Sequence, residues 1–329
     1  MKILFIRLSS LGDIVLTQSA VQAVHSKYPD AKIHYLTKSV FAPIVEMFNC
    51  VDEIHYWEKK YSLLKDIRKI KFDVAIDLHA KFNTFIIKSF INAKRNITYN
   101  KKHLLRRQIV NRKTDKVISS TVSLYFNALK KIGIDSKIAE PKLFTTKSIK
   151  MPEKFQISKH VKNIGLFPGA LHKTKQYPIE QLAEFINSVP DAWNCRFIIF
   201  GSEAELDLAD KLDSLTKSII LDLCGKLTLQ QLVTAIDKMD VLITNDSGPM
   251  HIAAALKKPQ IAIFGATHPK LGFAPMNRKA IVLSADLSCQ PCTLHGGEKC
   301  PKKHFKCMRS ISSEQIINSL NSIIAENTL

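Results

Sequence analysis

A chain of 329 residues, 46% hydrophobic and 23% charged, has the composition of a folded globular protein, and its length favours two domains of about 150 residues or more over a single core. The formal net charge of +19 is lopsided: residues 1–150 hold 28 Lys and Arg against 12 Asp and Glu, whereas residues 151–329 hold 20 against 17. Arg7 and Asp13 interrupt the apolar start, so the sequence shows neither a cleavable signal nor a membrane-spanning run and a cytoplasmic protein is expected. Its seven cysteines then point to reduced thiols or metal ligands rather than a disulfide framework.

Strand-like and helix-like patterns alternate from the first residues. KILFIRL (2–8) predicts a buried strand that breaks into SSLGD and restarts as a helix over 13–28. AKIHYLT (31–37), EIHYW (53–57), DVAIDLH (73–79) and RNITYN (95–100) follow as strands, with helical patterns over 39–48, 60–70 and 82–92. A helix over 119–133 leads into a polar, proline-bearing stretch at 140–162 without periodicity, which predicts an interdomain linker and domains at 1–155 and 156–329. NIGLFPG (163–169), CRFIIFG (195–201), SIILDLC (218–224), VLITND (241–246) and QIAIFG (260–265) resume the strands, with helices near 178–188, 203–216, 228–238 and 249–256. Continuous apolar strands suit parallel sheets covered on both faces. The expected fold class is α/β, two doubly wound domains facing a central cleft, with ligands at the carboxyl ends of the strands. No G-x-G-x-x-G and no P-loop motif occurs, which argues against a nicotinamide enzyme or an ATPase.

Three loops at strand ends carry residues suited to chemistry. Asp13, in RLSSLGDIVLTQ (7–18), is either a helix cap or a carboxylate set at a sheet edge. In VLITNDSGPMHIAAAL (241–256) a strand meets a helix opened by Pro249, so the amides of Ser247, Gly248 and the first turn make an anion site that suits a diphosphate. His251 on that turn can add a donor, and Asp246 can accept hydroxyl hydrogen bonds from a sugar. LFPGALHKTKQYP (166–178) has the same form and brings Lys173 and Lys175 to a sheet edge, where a lysine neutralises phosphate. IFGSEAELD (199–207) sets Glu203 and Glu205 just past a strand, where a carboxylate can take the two hydroxyls of a ribose. Each has a plainer alternative: caps for the aspartates, packing for the histidine, solvation for the lysines.

The SSLGDIVLT loop, the PGA…K…YP loop and the NDSGPMHIAAAL…IAIFGAT segment, in that order, resemble the family nine glycosyltransferases that build the lipopolysaccharide inner core from ADP-heptose. The resemblance implies the GT-B architecture, two Rossmann-like domains with the acceptor on the first and the nucleotide sugar on the second, and inversion at the anomeric carbon. It implies Asp13 as general base, Lys175 as the cation on the donor, Glu205 as the ribose ligand, Asp246 against the heptose, and Ser247, Gly248 and His251 at the diphosphate. Ala170, Leu171 and His172 depart from the small hydroxyl residues that often follow the PGA turn in that family.

By charge, Lys59, Lys60, Lys81, Arg106 and Arg107 are candidates for the acceptor surface. No cofactor is expected; Cys289, Cys292, Cys300 and Cys307 have spacing that also admits a structural zinc, with His295 and His304 as further options. The expected partners are a nucleotide-sugar donor, a Kdo-lipid A or heptosylated core acceptor and the anionic cytoplasmic face of the inner membrane, met by a peripheral monomer. Two alternatives remain: a transferase of the same fold using another sugar nucleotide, and a polyanion-binding protein whose basic half grips nucleic acid. The absence of an aromatic-interleaved basic motif of the RNA-binding type weighs against nucleic acid.

Overall fold

In the computed structural model residues 1–58, 61–145, 149–158 and 160–326 are described, residues 61–64 in backbone only. The chain forms β1 (Lys2–Ile6), α1 (Leu11–Lys27), β2 (Lys32–Thr37), α2 (Ala42–Glu46), β3 (Glu53–Tyr56), α3 (Tyr61–Lys69), β4 (Phe72–Asp77), α4 (Phe82–Phe90), β5 (Ala93–Thr98), α5 (His103–Val110) and α6 (Thr121–Leu129). After the expected linker come β6 (Lys162–Phe167), α7 (Ile179–Ser188), β7 (Cys195–Ile199), α8 (Leu206–Leu215), β8 (Ile220–Asp222), α9 (Leu229–Asp237), β9 (Val241–Asn245), α10 (Gly248–Ala255), β10 (Gln260–Phe264), β11 (Ala280–Ser284), α11 (Lys306–Arg309) and α12 (Ser313–Glu326).

Two wholly parallel sheets result. The first runs β3-β2-β1-β4-β5 and the second β11-β10-β9-β6-β7-β8. Parallel strands joined by helical crossovers bury both faces, which is why β9 and β10 are buried at every position. In each sheet the strand order reverses once, between β1 and β4 and between β6 and β9, and that reversal opens a crevice beyond the strand ends. Helix faces supply the rest of each core. In α7, Ile179, Leu182, Ala183, Phe185 and Ile186 turn inward at helical spacing. They join Ile164, Leu166, Ile243, Ile261 and Ile316 of the second core. The first core gathers Leu4, Ile6, Leu36, Phe72, Ala75 and Ile87. Each leucine, isoleucine or phenylalanine among them contributes about 1.5–3 kcal/mol relative to leaving it exposed.

The chain divides into two compact units, Met1–His103 with Ser119–Phe144, and Leu104–Ile118 with Thr145–Leu329. The boundary expected near residue 155 therefore falls at Phe144, and the basic stretch after His103 belongs to the second unit. Within that unit the Ile118 amide donates to the Lys270 carbonyl (3.0 Å), and a side chain at Gly272 would strike Ile118.

Candidate active site

The crevice of the second sheet is built from the loops after β6 and β9. Asn245, the last residue of β9, ties the two together: its amide nitrogen donates to the Pro168 carbonyl (2.7 Å) and its oxygen accepts from the Tyr177 amide (3.1 Å). The next residue, Asp246, is buried. One of its oxygens lies 2.7 Å from Lys175 Nζ and accepts from Thr267 Oγ1 at 2.6 Å. Both partners of this pair are largely withdrawn from water, so separating either would leave a buried charge, a costly state that holds the geometry in place. Ser247 precedes α10 as its N-cap, and its hydroxyl is buried with no hydrogen-bond partner among the described residues. The open first turn of α10 offers backbone N–H groups and the positive end of the helix dipole, and His251 is buried on that turn.

Glu205 lies against the same loops. Its carboxylate accepts from the amide and hydroxyl of Ser202 (2.6 and 2.5 Å), and a side chain on either Gly169 or Gly201 would collide with it. The loop carrying Lys175 is braced by the cysteine-rich segment. The Thr174 amide donates to the Gly297 carbonyl (3.0 Å), and the Gly297 amide to Thr174 Oγ1 (2.8 Å). Gly296, at φ +99°, presses on the Lys175 stem so closely that a Cβ would come within 2.9 Å of its Cγ and Cδ.

The first unit has its own charged cluster at the crevice between β1 and β4. Ser10 is the N-cap of α1, and Asp13 sits three residues on, accepting from the Ser10 hydroxyl at 2.9 Å and pairing with the Arg7 guanidinium. Asp13 is thus part of a capping box and of an ion pair together. Arg7 is buried and also donates to the carbonyls of Ser9 (2.6 Å) and Leu78 (2.5 Å). Burial alone would make Arg7 easier to deprotonate; Asp13, Tyr125 and Tyr99 outweigh it and raise its pKa. Asp77, at the end of β4, is buried too. It accepts from the amides of His79 (2.9 Å) and Ala80 (2.8 Å) and pairs with Lys88 at 3.2 Å. Burial, then Arg7 and Lys81, bring Lys101 down to about 8, and burial with Arg7, Lys81 and Lys101 brings His79 down to about 4.

The structure thus gathers Lys175, Glu205, Asp246, Ser247, Gly248 and His251 around one crevice of the second unit and sets Asp13 at the crevice of the first. The charge-based acceptor candidates separate. Lys81 is exposed at the start of α4, whereas Lys59 and Lys60 lie outside the described residues. Arg106 and Arg107 belong to the second unit, and Arg106 is buried: its Nε donates to the Leu271 carbonyl (3.2 Å) and its guanidinium lies 4.5 Å from the Phe273 ring centre. Arg106 is a packing residue, which charge counting cannot distinguish from a surface cation.

The zinc alternative for Cys289, Cys292, Cys300 and Cys307 is not supported. Cys289 Sγ is 3.9 Å from His304 Nε2, but no three of these groups bring ligand atoms within 4.8 Å of one another among the described residues. Burial, reinforced by the neighbouring cysteines, raises Cys292 and brings Cys307 up to about 11, which favours protonated thiols. Among the described residues the group at that spacing is His34, Glu53 and His55, where His34 Nδ1 lies 3.1 Å from His55 Nε2 and 3.2 Å from the Glu53 carboxylate. Sequence reading missed Arg7, Asp77, His79 and Thr267. A charged residue ending an apolar strand, as Arg7 and Asp77 do, is the signal that could have found two of them.

The sequence matches the model of glycosyltransferase family 9 (heptosyltransferase) over residues 60–304. Lipooligosaccharide heptosyltransferase 2 of Campylobacter jejuni is 26% identical over 99% of this chain and 99% of its own length. Lipopolysaccharide core heptosyltransferase OpsX of Haemophilus influenzae is 28% identical over 85% of this chain and 83% of its own. The structure of E. coli ADP-heptose lps heptosyltransferase II matches with a TM-score of 0.80 and 22% identity, covering 100% of both chains. The two-domain GT-B fold class expected from the resemblance is that of this neighbour.

Proposed function

The chain belongs to glycosyltransferase family 9, the heptosyltransferases, and from that premise we propose that it moves a heptose from ADP-L-glycero-D-manno-heptose to a lipopolysaccharide inner-core acceptor, Kdo-lipid A or a heptosylated core, with inversion. The observation that carries this reading is the Lys175–Asp246 pair beside the buried Ser247 hydroxyl at the open end of α10. A helix terminus, an unanswered buried hydroxyl and a lysine together suit a diphosphate that must leave with an extra charge, and they do so with protein groups alone. Asp246 contacts the heptose hydroxyls, Glu205 the ribose, and Ser247, Gly248 and His251 the diphosphate. The acceptor hydroxyl attacks the anomeric carbon as its proton passes to Asp13, a residue of the first unit. The bond from that carbon to the diphosphate oxygen breaks, and its electron pair leaves with ADP. Asp13 suits this role because Arg7 and Ser10 fix its orientation.

Because such acceptors are lipid-linked, the enzyme works as a peripheral monomer on the cytoplasmic face of the inner membrane. The cationic excess of residues 1–150 supports this. Among the described residues no helix is long and apolar enough to cross a membrane. The deciding assay supplies ADP-heptose with Kdo-lipid A or heptosylated core and follows ADP release and the mass of the product. Turnover with a different sugar nucleotide and none with ADP-heptose would replace the donor assignment while keeping the enzyme class.

A further inference from the structure

α4 is apolar on two faces. Thr84 and Ile87 are buried, Ile87 within the first core, yet Phe82, Phe85, Ile86 and Phe90 recur at i, i+3, i+4 and i+8 on the opposite arc. Phe82 is 79% exposed, Phe85 67%, and Ile86 and Phe90 40% each. Exposed apolar side chains are ordinary when scattered singly; three phenylalanines and an isoleucine on nine helical residues form a patch, and patches mark contact surfaces.

The charge of the same stretch of chain indicates what the patch meets. From residue 78 to residue 103 the sequence holds Lys81, Lys88, Lys94, Arg95, Lys101 and Lys102 and no Asp or Glu. Lys88 is answered by Asp77 and Lys94 by Asp73, while Lys81, Arg95, Lys101 and Lys102 form no ion pair with a carboxylate among the described residues. Exposed phenyl rings in a stretch of chain that holds six cations and no carboxylate, four of those cations without an ion pair among the described residues, match a surface that offers hydrocarbon just beneath a layer of anions. We propose that the exposed face of α4 docks in the interface of an anionic bilayer, with Phe82, Phe85, Ile86 and Phe90 at the acyl boundary and the neighbouring cations at the lipid phosphates. At nine residues, about 13 Å, the helix is suited to lying in the interface and cannot cross it. The proposal names the surface through which the membrane reading above acts, and rests on that reading for the source of the bilayer.

The test is sedimentation of the full chain with vesicles of phosphatidylcholine alone and of phosphatidylcholine with phosphatidylglycerol. Wild type should favour the anionic vesicles, and Phe82→Ser/Phe85→Ser/Phe90→Ser should lower that partition by about tenfold or more. The same variant should release ADP with a delipidated, soluble acceptor at the wild-type rate. Phe85→Trp in wild type should show a blue-shifted emission, over the Trp57 and Trp193 background, that brominated lipids quench. Unchanged sedimentation of the triple variant, or no quenching of the new tryptophan, overturns the proposal. So does a triple variant that alters only the oligomeric state, since the face would then meet protein. Should wild type transfer heptose to nothing while the triple variant still loses vesicles, the catalytic reading falls and this one stands.

Discussion

One oxygen of Asp13 is shared between the Ser10 hydroxyl and the Arg7 guanidinium, so a substitution there tests capping and chemistry together. Asn keeps the size and hydrogen-bonding of the side chain but cannot accept the proton. We expect Asp13→Asn to lower kcat by about 10²-fold or more with ADP affinity within about twofold of wild type, by steady-state kinetics and calorimetric titration. Retained turnover would return Asp13 to capping alone. Lys101 supplies a pH signature. Burial and the neighbouring cations bring it down to about 8, so the site is more positive below that pH and loses the charge as pH rises through it. For a phosphorylated acceptor kcat/KM should therefore fall between about pH 7 and 9 while donor KM stays level, and Lys101→Met should give a lower, flat profile. An unchanged slope in the variant would remove Lys101 from acceptor binding. Asp13 was legible in the sequence because a lone carboxylate stood at the end of an apolar strand. Arg7 was read only as an interruption of that strand, since nothing local reveals that Tyr125, far along the chain, closes over it.

At the scale of elements, strands were the legible part. Every run read as a strand overlaps one in the structure; for central strands such as β9 and β10, buried at every position, hydrophobicity and β-propensity point the same way. What was missed had mixed signals. α5 carries Arg106 and Arg107 and reads as a charge cluster, although Arg106 and Ile109 are its buried side. α12 and β11 flank the cysteine-rich segment, whose spacing suggests metal where the fold uses it as a brace. That brace makes a prediction. Gly296→Ala adds a methyl in a left-handed conformation and against the Lys175 stem, whereas a Cβ on Gly297 meets nothing within 4 Å. Gly296→Ala should raise donor KM by about tenfold, and Gly297→Ala should leave it near wild type. Equal effects, or none, would show that the segment does not hold Lys175 in place.

For the whole molecule, each unit has its own sheet and core, and the donor residues belong to one of them. A ligand that binds only the folded second unit stabilises it by about 2.7 kcal/mol at a hundred times its Kd. With ADP, hydrogen exchange should slow in β6, β7, β9 and β10, and β1, β2 and β4 should exchange as before. Equal slowing in both sheets would count against a donor site confined to the second unit. The two-domain plan was legible from the alternation of patterns, but its seam was not: partition of residues 104–118 depends on contacts with Lys270 and Phe273, which no local pattern announces. That partition bears on how relatives of this enzyme can be recombined. The chain passes between units after His103, after Ile118 and after Phe144, so a chimera joined at the last crossing alone would mate the α5 segment of one parent with the Lys270 and Phe273 surface of another. Exchanges meant to graft a new acceptor preference must cut three times and carry residues 104–118 with the carboxyl-terminal half.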